Sequence, residues 1–213
     1  MRIALIGGTG LVGSRLVPLL REEELLLLTR RPIRETEAPQ RVGPAGEWPA
    51  ILAGERLDAA VSALGTTWRK AGSWDVFEQI DRHHVLGFAK AAKAAGARQF
   101  VLVSSVGADP KSKAEYLAIK GRVEEDLKHI GFNRLDILRP GLLRGPRGGD
   151  RRLKERLGIA LSPLTNLFLR GSKDRFAAVD AVQVASAIAA LLGEPEPGAY
   201  IHHNREIRRL ASS

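Results

Sequence analysis

Apolar runs of strand length alternate along the chain with helix-length segments that are apolar on one face. Residues 25–29 are a continuous apolar run, which is typical of a strand that is covered on both faces of a parallel sheet. The other predicted strands span residues 2–6, 58–64, 99–104 and 134–139, with room for a short strand near residues 41–42.

Capping residues mark the predicted helices. Ser73 precedes a long helix over residues 74–95, and Gly96 stands where a helix ends. Gln183 lies three residues after Asp180, the capping-box spacing at the start of a helix that runs to residue 192. Two further helices are predicted over residues 11–20, where Pro18 must kink or shorten the helix, and 113–130.

Strands that alternate with helices predict an α/β fold with a doubly wound parallel sheet, the Rossmann fold. A chain of 213 residues fits one such domain, with residues 142–213 partly forming the substrate side. Residues 142–171 have no readable pattern, and residues 175–179 are interpreted as a short strand.

The composition narrows the chemistry. The chain has no cysteine, which excludes disulfides, thiol catalysis and cysteine–zinc sites. The apolar run at the N-terminus is too short for a signal peptide, and no stretch approaches the roughly 20 apolar residues of a membrane helix. We therefore expect a cytoplasmic protein without a membrane partner.

The formal net charge of +9 predicts a surface that attracts anions. A basic surface around a site for a phosphate-bearing cofactor is favoured over nucleic-acid binding, because no motif combines aromatic and basic residues. The adjacent histidines at 83–84 and 202–203 point apart on a helix or strand, so we expect no metal site. A homodimer or a protein partner is an open alternative.

A glycine-rich turn follows the first strand, with the spacing G-x-x-G-x-x-G over residues 7–13. Glycines allow a tight turn and a close approach of the backbone to a pyrophosphate, and the following helix offers free N–H groups. This pattern predicts a dinucleotide site, against the alternative of a tight turn without a ligand. The cofactor-binding residues predicted here are Gly7, Thr9, Gly10, Leu11 and Val12.

The second strand ends in Thr29-Arg30-Arg31, where an NAD-specific fold places an acid for the ribose hydroxyls. Arg30 and Arg31 suit a 2′-phosphate, because charge-assisted hydrogen bonds are the stronger kind. The sequence therefore favours NADP(H) as the cofactor, and NAD(H) stays possible. The alternative is that these arginines are only solvated surface.

The fourth strand ends in a small, glycine-containing segment. Ligands of open α/β sheets bind beyond the carboxyl ends of the strands, so we expect this segment to lie along the cofactor. The alternative is a simple loop. The residues concerned are Ala63, Leu64, Gly65, Thr66 and Thr67.

Tyr116 and Lys120 lie four residues apart on a predicted helix and therefore share a face. A nearby ammonium favours the ionised phenol, so the pair suits proton exchange with a carbonyl or alcohol, and the lysine can also hold ribose hydroxyls. Ser104 and Ser105 end the preceding strand on the cofactor side. Ser105 is the predicted catalytic serine, because alternation turns one of the two into the sheet packing. The alternative for Tyr116 and Lys120 is a partly exposed helix face.

Taken together, these motifs resemble the short-chain dehydrogenase/reductase superfamily, and in particular the atypical branch that includes a Tat-interacting oxidoreductase-like protein. The likeness covers roughly residues 1–192 and lies in residues 7–13, 63–67, 103–109, 116–121 and 138–141. It implies a Rossmann fold with bound NADPH and catalytic roles for Ser105, Tyr116 and Lys120. It also implies that four residues border the nicotinamide: Pro140, Gly141, Leu142 and Leu143.

Two functions follow from this pattern. The first is an NADP-dependent oxidoreductase that transfers hydride to or from a small carbonyl or alcohol, a substrate that the sequence does not name. The second is a non-catalytic regulatory or interaction protein that senses NADPH. An arginine cluster could grip an anionic substrate or partner, although a solvated surface is favoured: Arg144, Arg147, Arg151, Arg152 and Arg156. Asp81 and Asn133 receive no role.

Overall fold

Seven parallel strands form the central sheet in a computed structural model that describes residues 1–145 and 171–212. Every neighbouring pair is parallel, and the order is β3-β2-β1-β4-β5-β6-β9 once the strands are numbered along the chain. The strands are β1 (Arg2–Ile6), β2 (Glu24–Thr29), β3 (Gln40–Val42), β4 (Ala59–Ser62), β5 (Gln99–Val103), β6 (Arg134–Leu138), β7 (Leu143–Arg144), β8 (Val179–Asp180) and β9 (Gly198–His202). Strands β7 and β8 pair separately, also in parallel.

Helices connect the strands. They are α1 (Gly13–Leu16), α2 (Trp48–Ile51), α3 (Trp68–Ala71), α4 (Trp74–Glu78), α5 (His84–Ala94), α6 (Glu115–Lys128), α7 (Ala181–Leu191) and α8 (Asn204–Leu210). A π-helical turn, Gln79–His83, joins α4 to α5, and a 3-10 turn, Val17–Leu20, extends α1.

Successive residues of each strand point to opposite faces of the sheet, and each face carries its own core. Leu5 of β1 belongs to the cluster that includes Leu16 of α1 and Ile188 of α7. Its neighbour Ile6 belongs to the opposite cluster, with Trp48 of α2 and Phe88 of α5. Helices on both faces of a parallel sheet confirm the predicted doubly wound Rossmann fold.

Two predicted helices differ in detail from the structure. The helix expected over residues 11–20 begins at Gly13 and tightens into the 3-10 turn, where Pro18 lacks the N–H of a regular helix. The long helix expected over residues 74–95 is present, with the π-helical turn inside it.

The predicted strand at residues 175–179 is wrong. Gly171–Phe176 is a 3-10 turn, and only Val179 of the predicted range lies in a strand. Two long-range hydrogen bonds hold the turn and the residue that follows it. The Asn204 side-chain amide donates to the carbonyl oxygens of Asp174 at 3.0 Å and Ala177 at 2.7 Å.

The sequence pattern did not predict β9 or α8. Strand β9 extends the main sheet beside β6, although three of its five residues are exposed. Helix α8 packs against α7. The C-terminal residues thus belong to the sheet and its core. No helix in residues 1–145 and 171–212 is long and apolar enough to cross a bilayer.

Candidate functional site

A groove of about 610 Å³ opens at the carboxyl ends of β1, β4, β5 and β6. Most of the residues predicted for the site meet there, because the carboxyl ends of parallel strands lie at one edge of the sheet. These are Thr9, Gly10, Leu11, Val12, Ala63, Leu64, Gly65, Thr66, Thr67, Ser104, Ser105, Tyr116, Lys120, Pro140, Gly141, Leu142 and Leu143.

The glycine turn is packed too closely to hold side chains at two positions. A Cβ on Gly13 would lie 2.2 Å from the carbonyl oxygen of Gly7, and a Cβ on Gly7 would lie 2.3 Å from the carbonyl carbon of Ala63. Gly7 therefore joins the turn to the loop after β4 and does not line the groove itself. The backbone N–H groups of Leu11 and Val12 donate to no described residue, which leaves both for an anion.

Arg30 and Arg31 lie outside the lining of this groove. Both are exposed just beyond the end of β2, where the Thr29 hydroxyl donates to the Arg31 carbonyl oxygen at 2.7 Å. Within the part of the chain that the structure describes, neither guanidinium pairs with a carboxylate. Both charges are therefore available to a ligand.

A buried ion pair lies beneath the groove. Lys120 Nζ is 2.6 Å from Asp81 Oδ1, and the Lys120 and Asp81 side chains are 7% and 0% exposed. The other carboxylate oxygen of Asp81 accepts the backbone N–H of Thr66 at 2.8 Å. Burial acts to lower the pKa of Lys120, but the adjacent Asp81 carboxylate outweighs it, and the pKa of Lys120 is raised. The lysine is therefore held as an ammonium.

Asp81 received no role in the interpretation of the sequence, although its position on a helix face was a signal for one. Phe77, Val85 and Phe88 are buried residues at helical spacing, and Asp81 falls on the same stripe. An acid on the apolar face of a helix needs a partner, because an unpaired buried charge is costly. Asp81 sits on the π-helical turn, a feature that occurs frequently at functional sites.

Tyr116 lies in the first turn of α6 and lines the groove. Its ring is half-buried and packs on Phe77, with 5.5 Å between the ring centroids. The phenol donates to no described residue, so it is free to meet a ligand. Lys120 follows on the next turn of the same helix, as the spacing predicted.

The two serines that follow β5 have different hydrogen-bond partners. The Ser104 hydroxyl donates to the buried carboxylate of Glu124 on α6. Both oxygens of this carboxylate also accept hydrogen bonds from Arg139 Nε, each at 3.1 Å. Ser104 thus lines the groove, but its hydroxyl is already hydrogen-bonded to Glu124 of α6. Ser105 is half-buried in the groove, and its hydroxyl donates to the Val106 carbonyl oxygen at 3.3 Å.

Helix α6 lies against the loop that follows Ser105. A Cβ on Gly121 would stand 2.1 Å from the Pro110 nitrogen and 2.3 Å from the Asp109 carbonyl carbon. Glycine is therefore required at this contact, which sets the distance from α6 to the serine loop.

The arginine cluster lies mostly outside the described residues. Arg144 is exposed, and the structure does not describe the other four: Arg147, Arg151, Arg152 and Arg156. Among the described residues there is no group of three histidine, aspartate or glutamate side chains that could hold a metal ion.

Comparison with known proteins places this geometry in a family. A family model described as NAD(P)H-binding matches residues 7–195. The chain belongs to this NAD(P)H-binding family. The predicted membership of the short-chain dehydrogenase/reductase superfamily is confirmed by the family match together with the fold of the solved relatives.

Relatives of similar length occur in fungi. The chain is 35% identical over 229 residues to "Protein FMP52-1, mitochondrial" of Scheffersomyces stipitis, across 99% of this chain and 98% of that protein. It is 32% identical over 227 residues to "Protein FMP52, mitochondrial" of Candida albicans, across 100% and 99% of the two chains.

Solved structures share the fold. The UDP-glucose 4-epimerase of Thermus thermophilus in complex with NAD matches with a TM-score of 0.70 and 19% identity, over 100% of this chain and 81% of that one. MoeE5 in complex with UDP-glucuronic acid and NAD matches with a TM-score of 0.73 and 15% identity, over 94% and 75%. At these identities the likeness establishes the fold alone.

The predicted cytoplasmic location is contradicted by these relatives. The fungal proteins that match over nearly the whole chain are named mitochondrial. The prediction rested on the missing cysteine and the short apolar start. A chain without thiols is compatible with any redox compartment, so its composition was no marker of location.

Proposed function

We propose that the protein is an NADP(H)-dependent oxidoreductase in which Tyr116 is the acid/base for a small carbonyl or alcohol. The observation that carries the proposal is the free phenol of Tyr116, which shares one groove with the glycine turn and with the ammonium of Lys120. A phosphate site, a proton donor and a fixed positive charge within one groove suit hydride and proton transfer.

The residues of the groove fit a nicotinamide dinucleotide. The free N–H groups of Leu11 and Val12 would hold the pyrophosphate, at the start of the helical segment that begins with Gly13. Lys120 lines the groove and has three donors, so it would hold ribose hydroxyls while it keeps its bond to Asp81. When bound, the cofactor supplies or accepts the hydride.

The side chains of this protein would handle the proton. In reduction, the Tyr116 phenol gives its proton to the carbonyl oxygen, and in oxidation the phenolate takes one from the alcohol. The raised pKa of Lys120 keeps this lysine as an ammonium, one helical turn from Tyr116 on α6. Ser105 would orient the substrate oxygen through its hydroxyl.

Replacing Tyr116 tests this role. We expect Tyr116→Phe to lower the turnover of a carbonyl panel by about 100-fold or more, because the proton donor is lost, while the Kd for NADPH stays within about twofold. NADPH oxidation and NADPH titration measure the two quantities.

The second tyrosine of the chain is the matched control. Tyr200 lies on β9 outside the groove, and its hydroxyl donates to the Pro197 carbonyl oxygen, so Tyr200→Phe should leave turnover unchanged. Equal turnover in wild type and Tyr116→Phe would contradict the proposal. NADPH binding without turnover of any panel member by wild type would favour the non-catalytic NADPH sensor.

The preference for NADP(H) rests on Arg30 and Arg31. Their guanidiniums lie beyond the end of β2 and have no acidic partner among the described residues. A 2′-phosphate bound at this place would pair with them. Guanidinium also binds phosphate through two parallel hydrogen bonds, which gives the pair both strength and orientation.

A further inference from the structure

We propose that the groove takes a flat aromatic carbonyl compound, whose ring stacks on two exposed indoles, Trp68 and Trp74, at the rim. The inference rests on the proposed function, because the same Tyr116 receives the carbonyl. The aryl carbonyl is reduced to the aryl alcohol. Its carbon gains a hydride from NADPH, which becomes NADP⁺, and its oxygen gains the proton of Tyr116, which solvent restores.

A continuous series of aromatic rings leads from Tyr116 to the surface. The Tyr116 ring packs on Phe77, Phe77 packs on Trp74 with centroids 5.6 Å apart, and Trp74 packs on Trp68 with centroids 6.2 Å apart. The interplanar angles are 58°, 73° and 47°, so the rings meet in tilted and edge-on arrangements. These distances are the ones at which aromatic rings attract each other.

The outer rings are exposed at the border of the groove. Trp68 is 53% exposed and Trp74 is 39% exposed, whereas Phe77 between Trp74 and Tyr116 is fully buried. Trp68 stands in α3 between Thr67 and Lys70, which both line the groove. Helix α3 therefore begins at the border of the groove, and Trp68 follows directly after a lining residue.

A further apolar side chain belongs to the same opening. Leu142 lines the groove after β6 and is 50% exposed. Large apolar side chains that stay in contact with water around a concave site mark a ligand surface.

The continuity with Tyr116 determines the kind of occupant. A protein or a lipid surface would cover the indoles and stop at the rim, where nothing requires contact with the phenol. A small flat molecule that stacks on the exposed indole of Trp68, next to the lining residue Thr67, can still reach into the groove. The aromatic class follows from that match.

Calorimetric titration of the full chain tests the inference, with 1-naphthylmethanol as the probe and its saturated counterpart, decahydronaphthylmethanol, as the comparison. We expect the aryl alcohol to bind about tenfold more tightly than the saturated one, because only the aryl ring can stack. Trp68→Ala and Trp74→Ala should each lower the affinity for the aryl alcohol by about fivefold to tenfold and leave the affinity for the saturated alcohol unchanged.

A neighbouring apolar residue provides the matched control. Val76 is 45% exposed on α4 and lies outside the aromatic series, so Val76→Ala should leave both affinities unchanged. Thermal unfolding of each variant checks that it is folded.

The possible results distinguish a failure of this inference from a failure of the proposed function. Equal affinity for the two alcohols, or aryl affinity that both tryptophan variants retain, overturns the aromatic class. If the variants lose binding to anionic lipid vesicles instead, the indoles serve a membrane surface and the inference is again wrong. NADPH is titrated separately, so a failure of cofactor binding is counted against the proposed function.

Discussion

At the scale of single residues, Asp81 determines the charge of Lys120. A lysine as buried as this one would lose its proton readily, since burial disfavours the ammonium. The carboxylate at 2.6 Å reverses that tendency, and its second oxygen anchors the loop after β4 through Thr66. Asp81 thus positions both Lys120 and the loop after β4.

Asp81→Asn should move the pH profile of the reaction. In the wild type the raised pKa keeps Lys120 charged until the pH is high. Without the carboxylate, the largest of the influences that raise the pKa of Lys120 is lost, so burial weighs more and the pKa falls. The alkaline decline of kcat/KM should then begin about one pH unit lower or more, measured between about pH 6 and 10.

Asp126→Asn is the control for that profile. Asp126 pairs with Arg82 at 2.7 Å outside the groove, so its loss removes a carboxylate without touching Lys120. If Asp81→Asn and Asp126→Asn gave the same profile, the positioning role would be excluded.

The candidate site could be predicted from the sequence only where spacing along one element was enough. Tyr116 and Lys120 share a face of α6 because four residues make about one turn of helix. Ser104 and Ser105 lie just beyond the end of β5 and have different hydrogen-bond partners. Asp81 comes from another helix, 39 residues before Lys120 in the sequence, and a contact of that kind leaves no local spacing to recognise. Only its place on the apolar stripe of its own helix gave a hint.

At the scale of elements, one buried carboxylate holds the edge strand β9. Asp136 of β6 is fully buried, and it accepts hydrogen bonds from Arg134 at 2.8 Å, from Gln99 at 2.9 Å and from His202 of β9 at 2.9 Å. Burial acts to raise the pKa of Asp136, but the hydrogen bonds from His202, Arg134 and Gln99 outweigh it, and the pKa is lowered. The carboxylate is therefore charged in the folded protein.

Asp136→Asn should destabilise the protein in a pH-dependent way. A lowered pKa contributes stability above the unfolded value, near pH 4, and that contribution is lost as the pH falls through the folded pKa. We expect a loss of about 3 kcal/mol in the free energy of unfolding at pH 7 and a much smaller loss at pH 3, measured in urea.

An exposed aspartate serves as the reference. Asp75 lies in the first turn of α4 and is exposed, so Asp75→Asn should change the free energy of unfolding by no more than about 1 kcal/mol. A loss for Asp136→Asn that is equal at the two pH values would contradict the assigned charge.

The same strand shows why part of the fold was not predictable. Strands β1, β2, β4, β5 and β6 are buried on both faces, so their apolar runs identified them. Strand β9 is an edge strand with exposed Ala199 and Ile201, and its place is fixed by backbone pairing with β6 and by the His202–Asp136 contact. These are tertiary contacts that the pattern of residues 198–202 does not encode.

At the scale of the whole molecule, the charge of +9 favours the approach of anionic ligands. NADPH carries one phosphate group more than NADH, and we propose that Arg30 and Arg31 bind that phosphate. The preference for NADPH should therefore weaken as salt is added, since exposed charges are screened.

Arg30→Ala/Arg31→Ala tests this assignment. We expect the double variant to bind NADPH about tenfold more weakly, because charge-assisted hydrogen bonds are lost, and to bind NADH within about twofold of wild type. Fluorescence titration with both dinucleotides gives the two Kd values.

Arg98→Ala controls for the loss of net charge alone. Arg98 is an exposed arginine that immediately precedes β5, at the opposite end of the sheet from the groove, and its removal should leave the ratio of the two Kd values unchanged. Wild-type protein that binds NADPH and NADH equally well would refute the arginine assignment.

The contact at Gly121 fixes the position of α6, which carries Tyr116 and Lys120, against the loop that follows Ser105. The helix that carries the phenol and the ammonium touches the serine loop with bare backbone, and a single added methyl group would overlap Pro110. The absence of a side chain at Gly121 thus allows α6 to approach this loop closely. Any larger group would have to tilt the helix or shift the loop, so even alanine at this position should change the distance between Tyr116 and Ser105.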